Sequence, residues 1–342
     1  LLLGAWDSAS GDPVDPTSIE DSISRGVSFL VDTQHPNGSW GSARQTKGLN
    51  IYAPVPGAHH AFRTAVTAMG VMALIESGRA DSGEPKQALD AGIEYLLEEL
   101  PRVRRATADT LYNVWTHCYG IQALVLVLER SEEEEERARI VELIRDQVAR
   151  LVRYESVNGG WGYYDFNVGA AKPSSSPTSF TTASILVALK RVEDIPGVDI
   201  PRRIVDRAVA TINRQRKADL SYLYAEYLKH RPMYPVNRPG GSLGRSHACN
   251  YALRIWGDST ITNREIDEWL EKLESRNGWL DIGRKRPIPH EAWFQVAGYF
   301  FYYGHYYASL CLELLPPDQA AKHGDFLAGI MVRNQEKDGS WW

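Results

Sequence analysis

An all-α fold, an α/α toroid made of two concentric rings of helices, is predicted by three observations. An indole-bearing turn recurs in phase, a helical hairpin accompanies each turn, and charged helices alternate with apolar ones. The composition allows it: 342 residues, 43% apolar and 24% charged, can bury a sizeable core without staples. Lys and Arg number 38 against 43 Asp and Glu, and a net charge of −5 gives no electrostatic reason to expect nucleic acid or an anionic membrane. Cys118, Cys249 and Cys311 are odd in number and read as free thiols. Residues 1–6 lack an initiator Met and the charged start of a signal peptide, so residue 1 reads as a fragment boundary and the compartment is not legible. The most apolar run, 294–315, is interrupted by Gln295 and His305 and reads as a buried helix rather than a membrane span.

The repeat sets the element order. Gln34 with Gly38-Ser39-Trp40 returns as Gln335 with Gly339-Ser340-Trp341, and Asn158-Gly159-Gly160-Trp161 and Asn277-Gly278-Trp279 repeat the turn. The four Trp residues are 121, 118 and 62 residues apart, which is two, two and one periods of about 60. Weaker copies fall at 92–100 and at Gln215, making six. Amphipathic helices over 19–33, 86–100, 138–153, 202–214, 263–274 and 319–333 carry the charge and are assigned to an outer ring. Segments 60–77, 113–130, 179–192, 245–256 and 292–315 are apolar all round and are assigned to an inner ring around a central cavity. Residues 1–18, with Pro13 and Pro16, read as an irregular lead-in, and 19–342 as one toroid. The acidic run 132–136 reads as a solvated start of the third outer helix. The Pro-, Ser- and Gly-rich segments 170–177 and 231–244 read as loops on the cavity rim. Six outer helices against five inner ones leave the last inner helix missing, which predicts an apolar seam between the first and last repeats, where a truncated segment or a partner chain would fit.

A buried indole can fill each turn, while a Gln side chain can bond backbone groups orphaned at helix ends and staple neighbouring outer helices. The motif is therefore mechanical.

These turns resemble the Gln-x-x-x-Gly-Ser-Trp repeats of squalene and oxidosqualene cyclases, shared more loosely with protein prenyltransferase β subunits. The resemblance spans about 19–342 and extends to bacterial repeat proteins of unassigned activity. It implies the toroid and a ligand in its cavity. Cyclases of this kind protonate an alkene with an Asp-x-Asp-Asp acid; here no Asp-Asp pair exists, and Asp109-Thr110 is what stands in its place. The resemblance to prenyltransferases implies a possible Zn²⁺ held by His247 and Cys249, in the place of their Asp-x-Cys pair, with His290 or His305 as the third ligand.

Polar residues at the starts of inner helices are the candidates for lining the cavity. They are His59, His60 and Arg63; Asp109, Asn113 and His117; Thr181 and Thr182; Arg245, His247 and Asn250; and His290, Trp293 and Gln295. Asp109, His117 and Arg245 are the candidate catalytic groups. Tyr163-Tyr164, Tyr222, Tyr224, Tyr227 and 299–307 add aromatic surface that suits carbocations, stacked sugars or plain core packing. Three functions follow: a terpenoid cyclase or prenyltransferase-like protein with an isoprenoid ligand, a pectate lyase-like enzyme using Arg63 or Arg245 as base on a carbohydrate, and a non-catalytic binding scaffold.

Overall fold

The computed structural model describes residues 14–41, 56–105, 111–165, 172–173, 177–285 and 298–341. Asp109, His290, Trp293 and Gln295 lie outside them. Eleven α-helices, and no strands beyond isolated bridges, are found among the described residues. The outer helices are α1 (Pro16–Thr33), α3 (Gly83–Glu99), α5 (Glu134–Tyr154), α7 (Arg202–Gln215), α9 (Asn263–Arg284) and α11 (Pro317–Asn334). The inner helices are α2 (Pro56–Glu76), α4 (Asn113–Arg130), α6 (Ser179–Arg191), α8 (Pro239–Ile255) and α10 (Phe300–Leu312).

Packing follows two circuits. Inner helices touch in the order α2, α4, α6, α8, α10, and each outer helix leans on the inner ring. In the outer circuit α11 returns to pack on α1, so the molecule is an α/α toroid. No comparable packing joins α10 to α2, and there Val66 and Met69 of α2 are 41% and 49% exposed on a helix otherwise largely buried. Helices α4, α6 and α8 are buried nearly all round; at one contact α8 and α10 approach so closely that a Cβ on Gly304 would lie 2.9 Å from the Gly244 Cα.

The corners do what a mechanical motif requires. Trp40, Trp161 and Trp341 each donate from the indole Nε1 to the carbonyl ten residues earlier, on Leu30, Leu151 and Met331, at 2.7, 2.8 and 2.9 Å. Gln34 Nε2 donates to Gly38 O at 2.9 Å and to Ala88 O of α3 at 2.7 Å. Gln335 repeats this on α1, donating to Gly339 O at 2.9 Å and Ser22 O at 2.8 Å, and so stitches the last outer helix to the first. Trp40 and Trp341 press into glycine notches on those helices: a Cβ on Gly92 would stand 2.7 Å from Trp40 Cζ3, and one on Gly26 2.9 Å from Trp341 Cζ3.

Three sequence expectations are corrected. Trp279 is not a corner: α9 runs on through it, kinked at Arg276, and leaves the indole 39% exposed. The fourth corner is instead the weaker copy expected at Gln215, one period earlier, where Arg216 and Tyr222 pair as Gln335 and Trp341 do. Tyr222 is fully buried in the Trp position, and Leu220 takes the left-handed conformation, φ 58°, that Gly38, Gly159 and Gly339 adopt elsewhere. Helix α8 begins at Pro239, inside the expected loop, because Pro suits a first helical turn and Arg245 braces the segment ahead of it. Helix α1 likewise begins at Pro16, with Asp15 as its cap, so residues 16–18, expected to be irregular, are helical.

Candidate functional site

The N-terminal ends of the inner helices gather at one mouth of the ring, and aromatic side chains meet there. Tyr112 precedes α4, Tyr163 and Tyr164 follow the Trp161 corner, Tyr224 leads toward α8 and Tyr299 precedes α10, while Phe180 opens α6. The Phe62 and Tyr112 rings lie 4.8 Å apart, Tyr112 and Tyr163 5.9 Å, Phe180 and Tyr224 5.1 Å, and Phe180 and Phe300 5.0 Å. Trp115 and Tyr119 stack at 6.1 Å one and two turns further down α4. The Tyr303 hydroxyl bridges α10 to α6, 3.0 Å from Phe180 O and 2.9 Å from Ser184 Oγ.

The phenols bond to one another. Tyr163 is bonded to Tyr224, Tyr224 lies 3.4 Å from the Tyr299 hydroxyl, and Tyr112 is bonded to Tyr164. Burial raises Tyr163, Tyr299 and Tyr303 well above the usual phenol value, and Tyr119 is raised by the same cause. Yet Tyr299 is 48% exposed, and Tyr119, Tyr163 and Tyr303 keep partial exposure. Surface that is accessible but poorly solvated is what the wall of a deep concavity presents.

The polar candidates go elsewhere, into the wall between the rings. His117 is fully buried facing α5: its Nδ1 donates to Gln147 Oε1 at 2.7 Å, and its Nε2 accepts from Asn113 Nδ2 at 3.3 Å. Burial holds its pKa down to about 4, so it is a neutral structural bridge rather than a group open to the cavity. Arg245 is wholly enclosed, its Nε, Nη1 and Nη2 donating to Tyr222 O, Gly241 O and Val236 O at 3.0, 2.6 and 2.6 Å. It braces the loop before α8 and is not placed to act as a base. Asn250 accepts the Tyr222 hydroxyl at 2.7 Å, and Thr182 Oγ1 accepts the Trp161 amide at 3.0 Å, as Thr67 does for Trp40. Thr181 accepts from Thr178.

The expected zinc set is not assembled. His247 Nε2 donates to Trp269 O of α9 at 3.0 Å, while His305 bonds Phe301 O at 2.7 Å and Asn277 Oδ1 at 2.8 Å. Cys249 lies two residues, about 200° of helix, from His247, and burial pushes its thiol up to about 12, away from the thiolate that zinc needs. Among the described residues no group of three His, Cys, Asp or Glu side chains stands ready for a metal.

On α2, His59 and Arg63 share a face as expected. Burial and then Arg63 lower the His59 pKa, and His60 pairs with Glu99 at 2.7 Å. Tyr112, Trp115 and Tyr119, missed in the sequence, form an aromatic stripe at spacings of three and four, a signal that was present. Asp165, also missed, is a buried carboxylate beside the tyrosines, ion-paired with Arg105 at 3.3 Å.

In fold the chain is similar to a type II terpene cyclase, MstE from Scytonema, at 14% identity and a TM-score of 0.47, over 96% of this chain and 82% of that one. It is also similar to a glycosidase in complex with glucose, at 10% identity and a TM-score of 0.39, over 94% and 99% of the two chains. No family model and no curated relative matches. No helix among the described residues is long and apolar enough to cross a membrane.

Proposed function

We propose that the aromatic chamber binds an isoprenoid or similarly apolar ligand, and that the protein is terpenoid cyclase- or prenyltransferase-like without the acid of squalene cyclases. One observation carries this reading: Tyr112, Trp115, Tyr119, Tyr163, Tyr299 and Tyr303 keep accessible surface, while His117, His247 and His305 bond to the outer helices α5 and α9. Ring faces attract cations. Phenols that burial keeps protonated present those faces without a phenolate that would trap a carbocation. If the chamber protonates an alkene, Asp109, two residues ahead of Leu111, is the carboxyl assigned to it.

Isothermal titration with geranylgeraniol tests the ligand class. Binding with a negative heat-capacity change, lost in Trp115→Ala, is the expected result. Asp109→Asn would keep the binding and abolish any cyclisation of the bound prenyl chain. The bonded hydroxyls of Tyr163, Tyr224 and Tyr299 favour carbohydrate as a second reading, and binding of an oligogalacturonide with none of the prenyl alcohol would replace the first reading with it.

A further inference from the structure

The loop between the Arg216 corner and α8 was not absorbed by the chamber. Between two short 3-10 turns, Glu226–Leu228 and Pro235–Asn237, every residue from 229 to 234 is exposed. Tyr227, Met233 and Tyr234 are 61%, 66% and 38% exposed, the first two being the most exposed large apolar side chains among the described residues. Lys229, His230 and Arg231 stand between them, and no carboxylate pairs with these three. The one acid nearby, Glu226, is buried against Arg214 at 2.9 Å. Although the whole chain carries a net charge of −5, this tip carries only positive charge.

The tip is also held rigid. Buried Asn237 accepts the Tyr224 amide at 2.8 Å and donates to Arg231 O at 3.0 Å, Arg238 Nε donates to Met233 O at 3.0 Å, and Arg245 secures Val236 O from beneath. A braced, convex projection of tyrosines, a methionine and unpaired cations matches the boundary of a bilayer, where Tyr sits at headgroup level and Lys and Arg meet lipid phosphates. A protein partner fits less well, since about 800 Å² per partner is usual for a stable interface and an eight-residue tip cannot supply that.

We propose that residues 227–234 dock the protein on an anionic lipid surface. Tyr224, at the chamber, is bonded through its amide to the buried foot of this tip, so docking would bring the chamber mouth toward the lipid; the docking itself does not depend on what the chamber holds.

Co-sedimentation of the full chain with phosphatidylcholine vesicles, with and without phosphatidylserine, tests it. Binding to the anionic vesicles alone, weakened by salt, is expected. Neutralising Lys229 or Arg231 to Ala should each weaken it about fivefold, and Met233→Ser with Tyr227→Ser should weaken it further while the circular dichroism spectrum is unchanged. Equal pelleting with and without phosphatidylserine vesicles, or binding that the Met233 and Tyr227 changes leave intact, would overturn the proposal; the latter would mean that charge alone is at work, as for any polyanion.

Discussion

The corners at Trp40 and Trp341 are built from the same parts and end in different surroundings. Each has a Gln staple, an indole bonded ten residues back and a glycine notch on the next outer helix. Trp40 nevertheless is 3% exposed and Trp341 36%. The difference lies in the inner ring: Gly70 of α2 packs on Trp40, where a Cβ would come within 2.9 Å of the indole. Stapling and burial are therefore separable contributions, the first set by the turn and the second by the inner helix behind it.

Truncating the indoles should separate these contributions most clearly. Trp161→Ala, at a wholly buried site, is expected to cost about 3–5 kcal/mol, and Trp341→Ala about half of that. Equal shifts in urea midpoint would mean that the staple, and not the burial, dominates. Next in size are the turn residues. A Cβ on Gly38 would lie 2.2 Å from Ala91 O at a φ of 82°, so Gly38→Ala should destabilise by more than about 2 kcal/mol. Leu220→Gly, at the equivalent residue of the Tyr222 corner, should change stability by less than about 1 kcal/mol, because relief of left-handed strain offsets lost side-chain burial and added unfolded-state freedom. Thermal melts of the two variants check that contrast.

Gln34→Ala and Gln335→Ala each remove two bonds to carbonyls and should cost about 1–3 kcal/mol, with Gln335→Ala the larger because Gln335 also accepts from Ser22 Oγ at 2.9 Å. The smallest effect concerns α9 and α11. His323 is buried between Glu274 and Asp267, the latter 2.7 Å away. Burial alone would lower its pKa, but the two carboxylates raise it overall. Because the folded value exceeds the unfolded one, the stabilisation is complete below the unfolded pKa of about 6.5 and is lost as pH rises through the folded value. Melting temperatures from pH 5 to 9 should fall more for the native chain than for His323→Gln.

Helix order, ring assignment and the mechanical role of Gln34, Trp40 and Trp161 were legible because outer helices are amphipathic and the turns recur at a fixed interval. The Arg216 corner was signalled only by Gln215, because Tyr and Leu replace Trp and Gly there, while Trp279 misled because Asn-Gly-Trp also fits a helix that runs on past a kink at Arg276. The site was harder for a different reason. A helix buried on every side has almost no amphipathic signature, so its sequence does not say which face meets the bore and which meets the outer ring. Polar His117 and His247 were assigned to the cavity, yet hydrogen bonds to α5 and α9 draw them outward and leave Trp115, Tyr119 and Tyr303 facing in.

The bond from Gln335 to Ser22 turns what would be a linear array into a hoop. In an open stack the terminal repeat has one neighbour and peels first. Here α1 and α11 hold each other, so no outer helix is an obvious starting point for fraying, and amide protons around the rim should exchange at similar rates until one knot gives way and the whole belt loosens at once.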